Sequence, residues 1–489
     1  MMEVEVGDHN VLLVRCDGVY SAISNQCTHY GAPLSKGVLS GQRVRCPWHG
    51  SCFNVKTGDL EEYPGIDCLP CHKACITIHF SLGSTLAPWI LGIPLACWLS
   101  ISASGSSTTY SAAVGRAGAA SLMCAETLRQ ENYGGRIIMV SRDDLLPYDK
   151  TRLSKYDIEV WLKKEVRVNL VFSLIYTNIH IHHMTISELF FVQALSIDTK
   201  KKTVTFDDGL IQCYDQILIA TGSKSLDCPG ADLENVLMLE TPEDARCIHY
   251  ACMGCRTVVV GTSFVGMEVA AYMINMASSI TIIGSSELPY QKTLGPEIGK
   301  ATMMVCYKGQ YYHLSHTDIK YVKAVKLKSG ITIEADLLIV GIGVNPNSEF
   351  LKGSPIRMDS KNYVIVDKYM RTNITDVYCA GDLTSFPLKM AKGQNVSIGH
   401  WQIAQAHGRI AALSMLHREV ELNTVPFYWT VLFGRTIRYA GVFLCNYILI
   451  LHYPDDEVVA ASGLNVEPAV SVVAERLAEG RVITKAEAE

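Results

Sequence analysis

Four residues within the first fifty have the types and the spacing of metal ligands. Cys27 and His29 stand two positions apart in CTHYGAPLSKG, and Cys46 and His49 stand three apart in RVRCPWHGSCFNVKTGD. Two thiolates can hold one iron and two imidazoles a second, which is the ligand set of a mixed 2Fe–2S cluster. We therefore predict a redox centre, with a zinc site built from the same four residues as the alternative.

The same stretch resembles the Rieske ferredoxin family, including the downstream segments FNVKTGD and YPG. In the high-potential branch of that family two further cysteines bridge the loops, whereas Ala32 and Trp48 occupy those positions here. Phe53 stands where a high-potential protein has a tyrosine, and Ser51 is retained as a donor toward the cluster. The resemblance implies the dioxygenase-ferredoxin type, with a potential in the lower part of the range of about −150 to +300 mV.

Length and composition indicate a multidomain globular protein. The chain has 489 residues, of which 48% are hydrophobic and 19% charged, and this length allows about three or four domains. A net charge of −5 gives no indication of nucleic-acid binding. The 17 cysteines are scattered rather than set in a short secreted framework, which predicts an intracellular, reducing setting. The N-terminal MMEVEVGDHN has the pattern of neither a signal nor a transit peptide.

Periodicity predicts the fold class and the domain order. Short strands and turns give an all-β domain first, and Gly-rich β-turn-α patterns then predict doubly wound α/β domains. A small α+β domain closes the chain with a helix in PAVSVVAERLAEG. We predict the 2Fe–2S domain at 1–80, an uncharged linker at 81–111, a first dinucleotide domain at 112–237 and 361–424, a second at 238–360, and the C-terminal domain at 425–489.

The second Gly-rich turn has the pattern of an NAD(P)-binding unit. An apolar strand, Val258–Val260, enters a turn with Gly261, Ser263 and Gly266, and a helix and the strand Ile280–Ile283 follow. Such a turn lets a pyrophosphate approach the N-terminus of the helix. A structural βαβ turn is the alternative. The second strand ends in Gly-Ser-Ser instead of an acid, so the sequence predicts no preference between NADH and NADPH.

The first Gly-rich unit is less regular, and later segments support it as an FAD site. Gly115 and Gly118 are spaced three apart, and the segment YDQILIATGS places Thr221 and Gly222 after an apolar strand. The segment MRTNITDVYCAGDLTSFP contains Gly381 and Asp382, an aspartate that can bond a ribityl hydroxyl. A helix N-cap is the alternative role for Asp382. The helix that follows His400 and Trp401 would direct its N-terminus at the flavin pyrimidine.

From about residue 112 the chain resembles the FAD-dependent pyridine-nucleotide reductases, including ferredoxin reductases of dioxygenase systems. With the N-terminal domain in front, it is similar to the Rieske-bearing branch of the apoptosis-inducing-factor flavoproteins. In that family the segment LPYDKTRLSK lies along the flavin, which implies that Lys155 is near N5 and pairs with Glu268. From the residues alone, these would be a surface lysine and an acid in the first turn of a helix. Segments 81–115, 305–320 and 442–453 depart from the family pattern.

Two rival features remain in the sequence. Cys252 and Cys255 have the C-x-x-C spacing of a disulfide oxidoreductase, but they precede the NAD(P) strand, at the end opposite to the ligand. The segment Leu86–Ala103 is eighteen apolar or small residues, at the short limit for a membrane span. It contains two prolines and no flanking basic residue, so a linker is the preferred interpretation and an anchor the alternative.

Together these features predict a flavin-dependent oxidoreductase. NAD(P)H would reduce FAD, and electrons would pass singly to the 2Fe–2S cluster or to an outside acceptor protein. Fusion to the reductase would raise the effective concentration of the cluster module at the flavin. The family resemblance implies a mitochondrial or cytoplasmic location. It also supplies the alternative of a pro-apoptotic signalling factor in which the redox domains are mainly scaffold.

Overall fold

The computed structural model describes residues 1–65, 67–72, 110–115, 118–142, 147–154, 186–189, 192–306, 322–327, 329–441, 451–452 and 458–488. Leu86–Ala103, Lys155 and most of the irregular segments 305–320 and 442–453 lie outside these residues. Within the described ranges, no helix has both the length and the apolar character needed to cross a bilayer.

Residues 1–72, here called the N-terminal module, form two antiparallel sheets, as the alternating pattern of VLLVR and GVYSAIS predicts. The sheet orders are β1-β2-β3-β8 and β4-β5-β6-β7. A 3₁₀ helix covers Leu34–Lys36. Leu12, Ile23 and Phe53 are buried between the sheets. The strands are β1 (Met2–Val6), β2 (His9–Cys16), β3 (Val19–Ser24), β4 (Val38–Ser40), β5 (Arg43–Arg45), β6 (Cys52–Asn54), β7 (Leu60–Glu62) and β8 (Cys71–His72).

The next domain is built on a five-stranded parallel sheet of order β11-β10-β9-β15-β25. Chain order reverses between β9 and β15, and ligands bind at such a switch point. A 3₁₀ helix covers Lys150–Arg152, and β12, β13 and β14 form a separate antiparallel sheet. The elements are β9 (Tyr110–Gly115), α1 (Ala119–Gln130), β10 (Arg136–Val140), β11 (Ile186–Leu189), β12 (Ala194–Asp198), β13 (Thr203–Phe206), β14 (Ile211–Cys213), β15 (Gln216–Ala220), β16 (Ser223–Ser225) and, much later, β25 (Val377–Cys379).

A second parallel sheet follows, in the order β17-β22-β18-β19. Strands β20 and β21 pair with each other, and β23 pairs antiparallel with β16 of the preceding domain. The elements are β17 (Val236–Leu237), α2 (Pro242–Ala251), β18 (Arg256–Val260), α3 (Phe264–Met273), β19 (Ser279–Ile283), α4 (Gly295–Cys306), β20 (Ala324–Lys326), β21 (Thr332–Glu334), β22 (Leu337–Val340) and β23 (Val344–Pro346).

The chain then returns to the first sheet and ends in a small α+β domain. The returning segment has 3₁₀ helices at Glu349–Leu351 and Lys389–Ala391, β24 (Val364–Ile365), β26 (Thr384–Pro387), β27 (Asn395–Val396) and α5 (Trp401–Met415). The last domain has an antiparallel sheet of order β28-β29-β31-β30. Its elements are β28 (Phe427–Leu432), β29 (Arg435–Gly441), β30 (Leu451–His452), β31 (Ala460–Leu464), α6 (Ala469–Ala478) and α7 (Lys485–Ala488). The predicted fold class is confirmed, and α6 is the predicted C-terminal helix.

The N-terminal module is docked on the rest of the chain through buried polar contacts. Arg45 Nε donates to Glu475 Oε2 at 2.6 Å, and its guanidinium also pairs with Glu62. All three side chains are buried. Gln405 Nε2 donates to the Gly65 carbonyl at 2.7 Å. A buried ion pair is costly to break, so the module is held in one position in addition to being tethered.

Candidate functional site

The two predicted ligand loops have the same local structure. Each begins with a buried cysteine, Cys27 after β3 and Cys46 after β5. Gly31 N–H donates to the Cys27 carbonyl at 2.8 Å, and Gly50 N–H donates to the Cys46 carbonyl at 3.3 Å. Both glycines have positive φ, +74° and +81°, a conformation that other residues rarely adopt. The glycines therefore turn each chain sharply enough to place a histidine beside its cysteine.

The two thiols form one pair. A hydrogen bond with the Cys46 thiol lowers the pKa of Cys27, and backbone N–H groups of His29 and Tyr30 lower it further. Burial raises the pKa of Cys46 well above its usual range. Two sulfurs that face each other and accept backbone N–H bonds are arranged as the ligands of one iron of a 2Fe–2S cluster.

The two imidazoles form the other pair. Nδ1 of His29 lies 3.1 Å from Nδ1 of His49, and the rings meet edge to face at a centroid distance of 4.9 Å. Two ligand nitrogens about 2.0–2.1 Å from one tetrahedral metal ion are separated by roughly 3.3 Å. The donor atoms present therefore fit a cluster with two cysteines on one iron and two histidines on the other.

A cavity of about 720 Å³, called here the main cavity, lies at the switch point of the first parallel sheet. Of the predicted cofactor residues it is lined by Gly118, Gly222, Gly381, Asp382 and Trp401. These residues come from four separate segments, and the fold brings them together at the carboxyl ends of β9, β15 and β25.

The first Gly-rich turn is more regular than its spacing suggests. The strand β9 runs six residues to Gly115 and pairs on both sides, although the sequence predicts only a weak strand there. Gly118 is the N-cap of α1, and its N–H donates to the Ser121 hydroxyl at 3.1 Å. The N-terminus of α1 opens into the main cavity through Gly118 and Ala119. This end of the helix suits the pyrophosphate of a dinucleotide.

Asp382 lies in the turn between β25 and β26, so the alternative of a helix N-cap is wrong. Its carboxylate accepts a hydrogen bond from Ser223 Oγ at 3.1 Å, and burial raises the pKa of Asp382 above its usual range. Trp401 is the first residue of α5, whose N-terminus also opens into the main cavity. Two helix N-termini and a carboxylate around one cavity fit a molecule with an anionic middle and a hydroxylated chain, as in FAD.

Thr221 differs from its neighbours in the cavity wall. Its hydroxyl donates to the Asn347 carbonyl at 2.7 Å, and the Asn347 amide donates back to the Thr221 carbonyl at 3.0 Å. The residue lines a smaller cavity of about 150 Å³ instead of the main one. Thr221 therefore ties two loops together beside the site.

Glu268 is buried in the wall of the main cavity and lies one turn into α3, so it is not an acid of the first helical turn. Thr430 Oγ1 donates to Glu268 Oε1 at 2.7 Å, and the Ser154 hydroxyl donates to the other carboxylate oxygen. The predicted partner, Lys155, follows Ser154 and lies outside the described residues. The carboxylate is thus fixed by two hydroxyl donors on the side of the cavity that faces the second parallel sheet.

The second Gly-rich turn is packed as a dinucleotide-binding turn. A Cβ at Gly261 would stand 2.1 Å from the Gly341 carbonyl oxygen, and one at Gly266 would stand 2.2 Å from the Gly261 carbonyl oxygen. Ser263 is the N-cap of α3 and makes no capping bond with its side chain, which leaves the first N–H groups of the helix open to a ligand. None of these three residues lines the main cavity.

The C-x-x-C alternative is not supported by the geometry. Cys252 is the C-cap of α2, ahead of β18, at the end of the sheet away from the switch point. Its thiol donates to the His249 carbonyl at 3.2 Å, and burial raises the pKa of Cys252 to about 11. A redox-active cysteine needs a lowered pKa and access to the flavin, and Cys252 has neither.

Trp429 is a candidate functional residue that sequence reasoning missed. Its ring lies 4.5 Å from the His49 ring and 5.8 Å from the His29 ring, between centroids, and the same side chain lines the main cavity. One buried indole therefore stands between the cluster ligands and the cavity. No spacing rule connects a tryptophan in β28 with histidines almost 400 residues earlier.

Asp149 is the second missed residue. It accepts hydrogen bonds from the Tyr30 hydroxyl at 2.8 Å and from Thr151 N–H at 2.9 Å. Its Oδ2 lies 3.7 Å from Nε2 of His29. Burial opposes ionisation, but the contacts with His29, Thr151 and Arg152 outweigh it and hold the pKa of the Asp149 carboxyl below its usual range. The segment LPYDKTRLSK was predicted to lie along the flavin, and no signal in it indicated a contact with the cluster module.

Comparison with known families agrees with both parts of this geometry. The profile of the Rieske [2Fe-2S] domain matches residues 1–73, and the profile described as pyridine nucleotide-disulphide oxidoreductase matches residues 114–408. The Rieske match contradicts the alternative of a zinc site. The cofactors implied by these two families are a 2Fe–2S cluster, FAD and NAD(P)H, as the sequence predicts.

Individual proteins similar to this chain support the same assignment. Apoptosis-inducing factor 3 of Mus musculus is 40% identical over 515 residues, covering 100% of this chain and 83% of the relative. Rubredoxin-NAD(+) reductase of Pseudomonas putida is 30% identical over 338 residues, covering 66% of this chain and 85% of that protein. The fold resembles the ferredoxin reductase for the CYP199A2 system from Rhodopseudomonas palustris, with a TM-score of 0.69, 21% identity and coverage of 77% and 96%. The chain therefore belongs to the Rieske-bearing branch of the apoptosis-inducing-factor family, within the pyridine nucleotide-disulphide oxidoreductases.

Proposed function

We propose that this chain oxidises NAD(P)H and delivers the electrons, one at a time, to its own Rieske cluster. The observation that carries the proposal is the position of Trp429, which contacts the ring of His49 and lines the main cavity. The rate of electron transfer falls steeply with distance. A flavin in a cavity that is separated from a cluster ligand by one side chain could therefore transfer electrons directly to the cluster.

The residues of the chain have separate tasks in this proposal. The N-termini of α1 and α5 and the carboxylate of Asp382 would hold FAD in the main cavity. Bound there, FAD supplies the conversion of a two-electron hydride into single electrons. The turn from Gly261 to Gly266 would hold the nicotinamide nucleotide, and Glu268, fixed by Ser154 and Thr430, would orient its reactive end.

Residues of both halves of the chain would exclude water from the transfer route. The side chain of His29 is only 7% exposed, because Tyr30, Asp149 and Trp429 cover it. In this docked position the histidine edge of the cluster faces the reductase domains. The terminal acceptor is proposed, from the resemblance alone, to be an external electron-acceptor protein, and the location to be mitochondrial or cytoplasmic.

Rapid anaerobic mixing of the purified full chain with NADH and, separately, with NADPH tests the proposal. Flavin reduction is followed by loss of flavin absorbance, and cluster reduction by freeze-quench EPR. We expect both centres to be reduced in turn. In Trp429→Leu we expect flavin reduction to be retained and cluster reduction to slow at least tenfold. A cluster reduced at the same rate in the variant would contradict the route through Trp429.

The same measurement separates the enzyme from the scaffold alternative. A protein that purifies without flavin, or that holds both centres but does not oxidise either nucleotide, would favour the pro-apoptotic interaction factor. Phe433→Leu is a matched control, because Phe433 follows the same strand but is 41% exposed. Its rates should equal those of the unaltered protein.

A further inference from the structure

The contact between Asp149 and His29 joins the two halves of the chain at a cluster ligand. Nδ1 of His29 faces His49, so its other ring nitrogen, Nε2, is directed away from the metal site. Asp149 Oδ2 lies 3.7 Å from that nitrogen, at ion-pair distance. A ligand histidine commonly presents its second ring nitrogen to a carboxylate, which raises the basicity of the ligand. Here the carboxylate belongs to the reductase domain and the histidine to the Rieske domain.

Asp149 is held in this position from several sides. Its Oδ1 accepts from Thr151 N–H at 2.9 Å and from Thr151 Oγ1 at 2.7 Å, and its Oδ2 accepts from the Tyr30 hydroxyl at 2.8 Å. The side chain is 18% exposed. Because these donors leave the carboxylate little freedom, its charge has a fixed place relative to the cluster.

Arg152 is a positive charge close to the Asp149 carboxylate and to Tyr30. Its Nε donates to the Tyr30 hydroxyl at 3.1 Å and lies 3.7 Å from Asp149 Oδ2, and its guanidinium stacks 4.6 Å from the centroid of the Tyr30 ring. The arginine is 34% exposed, so solvent screens it more than it screens Asp149. The net field at His29 is therefore expected to be negative.

We propose that Asp149 is a positioning residue that lowers the midpoint potential of the Rieske cluster while the domain is docked. Reduction adds one electron to the cluster and makes it more negative by one charge. A fixed anion beside a ligand opposes that change and stabilises the oxidised form, whereas a nearby cation favours the reduced form. The reductase domain thus sets the potential of the centre that it reduces. This inference rests on the cluster, and does not depend on the electron route proposed above.

The test is a redox titration of the purified full chain, with dithionite as reductant and EPR of the reduced cluster as the signal. Dithionite bypasses NAD(P)H, so the result is separate from success or failure of the proposed route. For Asp149→Asn we expect reduction to become about tenfold more favourable, a rise of about 59 mV for one electron. Asp149→Glu keeps the charge and should stay near the unaltered value.

Arg152→Gln gives the sign control, because removing the cation should lower the potential. Asp336→Asn, on the exposed surface of the second parallel sheet, should leave it unchanged. A potential unaltered in D149N with iron content retained would overturn the proposal. A rise in both D149N and R152Q would also overturn it, because loosened docking rather than charge would then be the cause. Should D149N lose its cluster, Asp149→Ala replaces it, with a rise again expected and no change overturning the proposal.

Discussion

The cluster site and the main cavity are built in opposite ways. The predicted cluster site takes four side chains from two short loops of one module, and each loop has the same cysteine, histidine and positive-φ glycine. The main cavity is lined by residues from many segments between Gly118 and Trp429, small and large alike. The first site is specified by side-chain chemistry and the second by the close approach of helices and strands. Substitutions in the two sites are therefore expected to have different effects on cluster content, flavin retention and stability.

The largest expected effect follows from removing a cluster ligand. Cys46→Ser should abolish the cluster and leave flavin binding in place, because no ligand of the cluster lines the main cavity. Iron content, EPR and flavin absorbance of the purified variant measure both outcomes. Cys68→Ser, at an exposed cysteine of the same module, is the control and should keep the cluster. Loss of flavin together with iron would contradict the independence of the two sites.

The next effect concerns the contact that joins the two regions. Glu475→Gln removes one of the two carboxylates that neutralise the buried Arg45. Breaking such a pair should lower the free energy of unfolding by about 3 kcal/mol, at the low end of the usual range because Glu62 remains. Urea unfolding measures the loss. Glu479→Gln, in an exposed contact with Ser40, should cost about 1 kcal/mol or less. Equal costs would show that the buried network does not hold the module.

A smaller effect should follow from adding a side-chain atom where α1 and α5 are in close contact. A Cβ at Gly408 would stand 2.1 Å from the Ala120 carbonyl oxygen, so Gly408→Ala must push the two helices apart. Overpacking of this kind costs about 1–3 kcal/mol. Because Ala120 lines the main cavity, we expect weaker flavin retention on dialysis with cluster EPR unchanged. Gly134→Ala, where an added Cβ meets nothing within 4 Å, should keep its flavin.

The last expected effect is a dependence of stability on pH, at the boundary of the two regions. Burial, together with Asp67 of the N-terminal module, raises the pKa of Glu126 in α1 to about 8. In the unfolded chain this carboxyl ionises near pH 4.5. Its contribution to the free energy of unfolding is therefore fully present below pH 4.5 and is lost as the pH rises toward 8. The loss should approach about 1.4 kcal/mol per pH unit.

Glu126→Gln removes this titration. Urea midpoints of the unaltered protein and the variant, measured at pH 5, 6, 7 and 8, should diverge as pH rises, with the variant the more stable at pH 8. A difference that stays constant from pH 5 to pH 8 would count against the buried acid.

The contrast between the regions also explains what could be predicted from the sequence. Cys27, His29, Cys46 and His49 can be predicted as ligands because ligands of one cluster must lie on short loops at fixed spacing. Gly118, Gly222 and Gly381 can be predicted because small residues follow apolar strands, and all three line the main cavity. The strand β9 was undervalued, because its sequence SAAV is weak in isolation and its stability comes from pairing on both sides.

The residues that connect the regions could not be predicted. Arg45 and Glu475 are 430 positions apart, and Tyr30 and Asp149 are 119 apart. No local periodicity relates such pairs, so only the folded arrangement brings them together. The same holds for Trp429, which by sequence is an ordinary core aromatic of an antiparallel strand. That fusion raises the effective concentration of the cluster module at the flavin stays a prediction.

The segment 147–154 has one further consequence, for the interchange of parts between related proteins. It offers Lys150, Thr151 and Ser154 to the main cavity and Asp149 to the Rieske domain. A foreign ferredoxin grafted in place of the N-terminal module would have to supply counterparts of Tyr30 and Arg45, which contact this surface. Otherwise Asp149 would lose the Tyr30 hydroxyl and Glu475 would lose the Arg45 guanidinium. The N-terminal module and the reductase domains must therefore be inherited or engineered together. A working chimera has to carry the contact residues of both.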